Sequence, residues 1–220
     1  MKKQIVLWGI VALLSSTAAY AKDNGNDKKP EKMVTTELKE LPAQLKNKGG
    51  KTEEVKIQLT VGAMDGQLDM DKLQKEVTYT NAKGEKKTAS GEDVSMVTFT
   101  YDSVEYRMLS CPNKLKLEAA SSTPKYIFLK LEVDGTRLRL LRYYQVSTSK
   151  INGNELKSVS RKYVLRKSND TYLMPEIKDF KKDMTEFFSD CQGLVFKLSK
   201  NQFVKKDMVQ IANFYNSECK

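Results

Sequence analysis

The alternation of apolar and polar residues changes its period once along the chain. Over residues 54–167, apolar side chains tend to recur at every second position, which is typical of half-buried strands. After Pro175 they recur at steps of three and four residues, the period of an amphipathic helix. The pattern predicts a single α+β domain over 54–220, β-rich over 54–167 and helical over 175–220.

Seven segments of the β-rich part have the composition of strands. They are 54–61, 76–81, 95–101, 105–110, 125–133, 136–144 and 158–166. Short turns join most of them, and Asp134-Gly135 between two apolar runs is a strong hairpin signal. Because no long helical segment separates the strands, we expect an antiparallel sheet or a partly open barrel of about seven strands.

Three apolar stripes after the sheet predict a C-terminal cluster of two to three helices. The stripes are Ile177, Phe180, Met184, Phe187 and Phe188; Leu194, Val195 and Leu198; and Val204, Met208, Ile211, Ala212 and Tyr215. Within the β-rich part, Asp69 and Asp71 follow the turn signal Asp65-Gly66 and predict the start of a short acidic helix.

Residues 1–21 have the layout of a secretory signal peptide. A short positive segment and the apolar run 5–14 precede Ala19-Tyr20-Ala21, an A-x-A cleavage site. The run is shorter than the about 20 apolar residues that a membrane-spanning helix needs. We therefore expect cleavage after Ala21 rather than an N-terminal anchor, no transmembrane segment in the mature chain, and a periplasmic or extracellular location.

Residues 22–53 are dominated by Lys, Asp, Asn, Gly and Glu. So few apolar side chains cannot offset the entropy of ordering the backbone, which predicts a flexible tether. A helical stripe that includes Leu38 and Leu41 is interrupted by Pro42, so we expect at most a docked peptide here.

Composition and charge restrict the chemistry. The 220 residues include 38 Lys or Arg and 28 Asp or Glu, a formal net charge of +10, and no histidine. The missing imidazole excludes Ser-His-Asp and Cys-His nucleophiles and His-ligated metals. The basic residues are dispersed without a recognisable nucleic-acid-binding motif, so we expect no nucleic-acid partner. We also expect no metal and no cofactor.

Three cysteines follow the signal peptide: Cys111, Cys191 and Cys219. An exported chain meets an oxidising compartment, in which cysteine pairs persist as disulfides. Cys191 and Cys219 enclose a predominantly helical segment and are our candidate pair, which leaves Cys111 over, either buried or free. Spacing alone leaves the two other bridges, and three buried thiols, open.

The densest basic and aromatic stretch contains Arg137, Arg139, Arg142 and Tyr143. On a strand, Arg137 and Arg139 share one face. If the last predicted strand pairs with this one, Arg161 joins them. Guanidinium groups bind carboxylate or phosphate in bidentate fashion, so these five residues are the candidate site for an anion or ligand. The alternative is a solvated face of a basic sheet.

The C-terminal sequence resembles a protein family. The motif residues, in chain order, are Phe180-Lys181-Lys182, Asp190-Cys191, Leu194, Lys197-Leu198, Tyr215-Asn216 and Cys219. This order, FKK…DC…YNxxC, is similar to that of a broad family of uncharacterised secreted or periplasmic proteins of Bacteroidota. The resemblance covers roughly residues 125–219. It implies an α+β fold and a location outside the inner membrane, and it implies no activity.

These features predict an exported, non-enzymatic binding or scaffold module of the cell envelope. Its expected partner is an envelope protein, a peptide or an anionic glycan. The alternative is a histidine-free hydrolase that acts on an envelope polymer through carboxylates or a Ser-Lys dyad. No carboxylate pair or serine stands out by its spacing, so we name no catalytic residue.

Overall fold

Strands occupy most of the chain up to residue 173, and helices follow from residue 180. The computed structural model describes residues 36–62, 66–117, 123–151 and 154–219, which belong to the unit Glu31–Lys220. The predicted signal peptide, 1–21, and residues 22–35 of the predicted tether lie outside the described residues.

The described strands are β1 Thr36–Asn47, β2 Thr52–Gly62, β3 Glu76–Thr80, β4 Lys86–Ser90, β5 Val94–Tyr101, β6 Val104–Pro112, β7 Tyr126–Asp134, β8 Leu138–Ile151, β9 Asn154–Lys167 and β10 Tyr172–Leu173. The helices are α1 Met70–Lys75, α2 Phe180–Phe187, α3 Gln192–Ser199 and α4 Met208–Glu218, with a short 3₁₀ turn Lys205–Asp207 before α4. The predicted α+β architecture is confirmed, and the described part of the chain has ten strands instead of about seven.

All neighbouring strands are antiparallel and form one open sheet in the order β10-β9-β8-β7-β6-β5-β1-β2-β3-β4. The first four strands form a meander, β5 returns to pair with β1, and the rest continue as a second meander. The short connections explain the antiparallel arrangement, because a parallel pair needs a long crossover.

The prediction of a tether over 22–53 is wrong for residues 36–47, which form β1 in the middle of the sheet, and for residues 52 and 53, which begin β2. Ala43 and Leu45 of this strand are buried, and β2 and β5 supply hydrogen-bonding partners on both sides. Pro42 is tolerated because pairing with β5 begins only at Ala43, so at Pro42 the strand is paired on one side. The low apolar content of this segment gave no sign of a strand, because β1 is stabilised by its pairing with β2 and β5.

The sheet has an inner face, which contacts all four helices, and an outer face. Strand alternation places a first core, with Ile57, Val97 and Phe128, on the inner face under α1. A second core on the same face packs Leu138, Leu140 and Leu165 of β8 and β9 against α2, α3 and α4. The outer face has an apolar core around β6 to β9, formed by Cys111, Leu117, Ile127, Leu129, Leu131, Leu141, Tyr143 and Val164.

Helix α1 closes a gap at the side of β8. Asp69 caps its first turn by accepting from the Lys72 N–H (3.4 Å), as the acidic start predicted. The buried Gln74 side chain donates to the Tyr144 carbonyl (2.9 Å) and accepts from the Tyr144 N–H (2.7 Å). Pairing between β7 and β8 reaches only Arg142, so the Gln74 amide satisfies backbone groups that β7 leaves open.

A disulfide joins Cys191, before α3, to Cys219, after α4, with Cα atoms 5.4 Å apart. This confirms the pair that we expected. Cys111 is a free, buried thiol in β6 on the outer face. No helix in the described residues has the length and apolar content to cross a bilayer.

Candidate anion-binding site

The final helix is fixed to the start of β8 by one amide side chain. Asn216 accepts from the N–H groups of Arg137 (3.2 Å) and Leu138 (2.9 Å), and it donates to the carbonyls of Leu138 and Ala212 (both 2.9 Å). Gly135 lies against this amide, and a Cβ atom there would overlap the Asn216 side chain. β7 ends at Asp134 and β8 begins at Leu138, so the connection is longer than the predicted two-residue turn Asp134-Gly135. The hydrogen bonds of Asn216 hold this connection in shape.

The motif residues Asp190 and Tyr215 meet beside this turn. Asp190 accepts a short hydrogen bond from the Tyr215 hydroxyl (2.5 Å) and another from Lys167 Nζ (2.8 Å). Lys167 also donates to the Phe187 carbonyl (2.6 Å). These contacts fix the C-terminal helices to the ends of β8 and β9, and the adjacent disulfide ties the start of α3 to the end of α4.

A cavity of about 210 Å³ lies between the start of β8 and the end of β9. Four cationic residues are among those that line it: Arg137, Arg139, Arg166 and Lys167. The register places Arg139 directly opposite Arg166. Like charges across a strand pair oppose each other, so this pair is stable only with compensating anions.

Three of the four cations already have a carboxylate partner. Asp134 accepts from Arg139 Nε, Asp170 from Arg166 Nε, both at 2.9 Å, and Asp190 from Lys167. The fourth, Arg137, stacks on the Tyr215 ring with its guanidinium carbon 4.9 Å from the ring centre. Among the described residues no carboxylate pairs with it, and its buried Nη1 has no hydrogen-bond partner.

The pKa values of the paired carboxyl groups agree with their role as ion-pair partners. Burial alone raises the pKa of Asp134, but hydrogen bonds from Arg139 and Arg107 outweigh it and the pKa is lowered. Burial also opposes ionisation of Asp190, but Lys167 and Tyr215 lower its pKa below the ordinary value. These groups are ionised at neutral pH.

The same environment changes the ionisation of Tyr215. Burial and the hydrogen bond to Asp190 raise its pKa to about 12. The phenol therefore stays protonated at neutral pH, and it can donate to Asp190 while its ring supports the Arg137 guanidinium.

The structure divides the five residues of the predicted site between two faces and several environments. Arg137 and Arg139 line the cavity. Arg142 lies on the inner face and Arg161 is exposed farther along β9, opposite Tyr144. Tyr143 is buried in the core of the outer face. The predicted strand pairing is present, but it does not bring all five side chains together.

Arg142 belongs to a separate polar cluster between the two inner cores. It donates to Glu132 Oε1 (2.7 Å) and to the Tyr163 hydroxyl (2.9 Å). Lys130 lies 3.5 Å from the same Glu132 oxygen and 4.9 Å from the centre of the Tyr106 ring. These half-buried groups satisfy one another and fix the spacing between the two cores.

Arg166 and Lys167 are the cavity residues that the sequence analysis did not place in the site. The register of the β8–β9 pair would have indicated these two residues, because a hairpin that pairs Leu138 with Lys167 also pairs Arg139 with Arg166. The sequence of the turn between β8 and β9 does not by itself determine this register. The described residues contain no cluster of three or more side chains suited to holding a metal ion.

Comparisons of this chain with protein-family models, with curated proteins and with solved structures gave no match. The resemblance of its C-terminal motif to secreted proteins of Bacteroidota therefore remains a prediction. The structure does give the motif residues a physical basis, because Asp190, Cys191, Tyr215, Asn216 and Cys219 all anchor the final helix.

Proposed function

We propose that this chain is an exported, non-enzymatic binding module of the cell envelope that holds an anionic group in the cavity between β8 and β9. The observation that carries the proposal is the buried Arg137 Nη1, which has no hydrogen-bond partner among the described residues, in a residue that lines a cavity with three other cationic residues. A buried guanidinium nitrogen without an acceptor is costly, and an oxyanion that reaches it removes that cost.

The chemistry of the walls favours a sulfate, phosphate or carboxylate group. Arginine offers planar, paired donors that match these oxyanions, and Arg137, Arg139 and Arg166 all line this cavity. The volume admits a single such group rather than a whole polymer. An anionic glycan of the envelope therefore presents one charged substituent here, while the rest of it runs over the exposed basic surface.

The hydrolase alternative gains no support from the carboxylates. A general acid at neutral pH needs a raised pKa. In the described part of the chain, every carboxyl group with a displaced pKa has it lowered: Glu85, Asp93, Asp134, Asp170 and Asp190.

Calorimetric titration with a sulfated dextran oligosaccharide, and with neutral dextran of the same length, tests the proposal. We expect binding of the sulfated form only, weakened by salt. Arg137→Gln should lower the affinity about tenfold, because a charge-assisted bidentate contact is lost. Arg139→Gln should act in the same direction.

Arg161→Gln is the matched control, since it removes the same charge from an exposed site on β9 away from the cavity. It should leave the affinity within about twofold of the starting protein. Equal losses in all three variants, with unchanged melting temperatures, would show diffuse attraction and contradict the cavity as the site. Absence of binding would contradict the proposal itself.

A further inference from the structure

One edge of β9 is unpaired over most of its length in the residues that the structure describes. β8 pairs with β9 along the whole strand, whereas β10 pairs only with Leu165 and Arg166 on the other side. Residues 158–161 are accordingly exposed, and Val159 keeps 48% of its surface accessible. The hairpin thus leaves an open strand edge beside the helical part.

The direction of the backbone groups along this edge follows from one hydrogen bond. The Lys167 N–H donates to the Thr171 carbonyl on the β10 side (2.9 Å). Because backbone groups alternate in direction along a strand, Val159, Arg161 and Tyr163 turn both N–H and C=O towards the same side. These three residues therefore offer donors and acceptors to an added strand.

The chain that could have continued along this edge departs from it at Pro175. Proline has no N–H to donate to a strand ladder, so β10 ends at Leu173. A cavity of about 330 Å³ opens between residues 174–178, β9 and the start of α4. Its apolar walls are formed by Tyr163, Met174, Ile177 and Met208.

Three lysines line the same cavity: Lys162, Lys178 and Lys205. None of them forms an ion pair within the described chain, and Glu176 is the one acidic residue in the wall. Ile177 next to them has 78% of its surface exposed. The surface therefore combines an open backbone edge, an apolar recess and unpaired positive charge.

We propose that this edge binds an extended acidic segment of a partner polypeptide, which adds a strand beside β9 in line with β10. The partner's main chain pairs with Val159, Arg161 and Tyr163, which gives the affinity. One of its apolar side chains enters the recess, and its carboxylates contact the lysines, which gives the specificity. This site lies apart from the anion cavity and does not rest on the function proposed above.

Pairing with a second copy of this chain is the competing occupant. The chain carries a net charge of +10, and two identical lysine-bearing edges repel each other, which favours an acidic partner. Sedimentation of the protein without peptide separates these cases. A monomer is expected, and a dimer that protects the β9 edge would overturn the proposal.

The direct test uses a fluorescent peptide of about ten residues that alternates Val and Glu, with a Val-Lys peptide of equal length as control. We expect a rise in anisotropy with the acidic peptide only. Hydrogen exchange should slow at the amides of Val159, Arg161 and Tyr163 in the complex. No binding, or binding without this protection, would overturn the proposal.

Two changes separate backbone pairing from simple charge attraction. Methylating alternate amide nitrogens of the peptide should lower its affinity about tenfold, because ladder hydrogen bonds are lost. Lys162→Glu with Lys178→Glu should lower it by a similar factor, whereas Lys83→Glu with Lys86→Glu, at the far end of the sheet, should not. Equal effects of the two charge-reversed pairs would contradict a site at β9.

Discussion

The two ends of the β8–β9 hairpin share one continuous register but differ in everything around them. At the anchored end, near Leu138 and Lys167, both faces of the hairpin are covered and the C-terminal helices are attached by Asn216 and by the ion pair of Lys167 with Asp190. At the free end, beyond Tyr144, no other strand in the described chain pairs with the hairpin.

The comparison shows how one hairpin provides two kinds of surface. The anchored end keeps arginines half-buried in fixed positions, which suits the proposed binding of a single charged group. The free end presents backbone groups, which suit a partner that supplies its own strand. A strand edge that is packed against other elements cannot also offer unpaired backbone groups. The hairpin therefore has the packed segment at one end and the unpaired edge at the other.

The largest expected loss of stability comes from a substitution at the anchored end. Leu140 is fully buried there, and Leu140→Ala should cost about 2–5 kcal/mol in the free energy of unfolding, because it removes methyl groups and leaves a cavity. Val159→Ala, in the exposed part of β9, should change it by no more than about 0.5 kcal/mol. Urea unfolding measures both, and similar losses would refute the contrast.

A smaller effect tests the attachment at Asn216. Gly135→Ala should destabilise by about 1–3 kcal/mol, because its Cβ overlaps an amide that four hydrogen bonds hold in place. In an Asn216→Ala background the same change should cost much less, since the space is then free. Additive losses in the double-mutant cycle would mean that the two residues do not constrain each other.

The smallest effect concerns the pH dependence of the ion pair between Asp190 and Lys167. The folded state lowers the Asp190 pKa, so its contribution is complete above the ordinary value of 3.8 and is lost as the pH falls through the lower folded value. Asp190 is partly exposed, and Asp190→Asn should therefore cost about 1 kcal/mol or less near neutral pH.

Urea unfolding at several pH values measures the difference in free energy of unfolding between Asp190→Asn and the starting protein. This difference should disappear in acid. Asp183→Asn is the control, since Asp183 has no ion-pair partner among the described residues. If this difference in free energy of unfolding stayed constant down to strongly acidic pH, the ion pair of Asp190 with Lys167 would not be its cause.

Strong periodicity made much of the fold predictable. The alternation in β2 and the stripe of α2 come from side chains that face a core, so their spacing is visible without the neighbours. β1 was missed because only part of it is buried and its stability comes from β2 and β5. β4 was missed because Ala89 alone is buried in it, and the two-residue β10 is too short to show a period.

The candidate site was less predictable because it depends on register. Arg137 and Arg139 stand out as a dense basic run, but their companions Arg166 and Lys167 are set by pairing across the hairpin. The position of Arg142 on the inner face, opposite Tyr163, depends on the same register. A sequence shows which charges are near each other along the chain, and the sheet decides which of them meet.

The burial of Cys111 has a consequence for the assembly of the protein. Burial raises the pKa of its thiol, which keeps it protonated, and only a thiolate attacks another sulfur readily. Once β6 is in place, this sulfur is withdrawn from exchange and the helical pair is left to oxidise with each other. The folded sheet thereby keeps the Cys111 sulfur apart from the bridge between Cys191 and Cys219, one of the three that the chain permits.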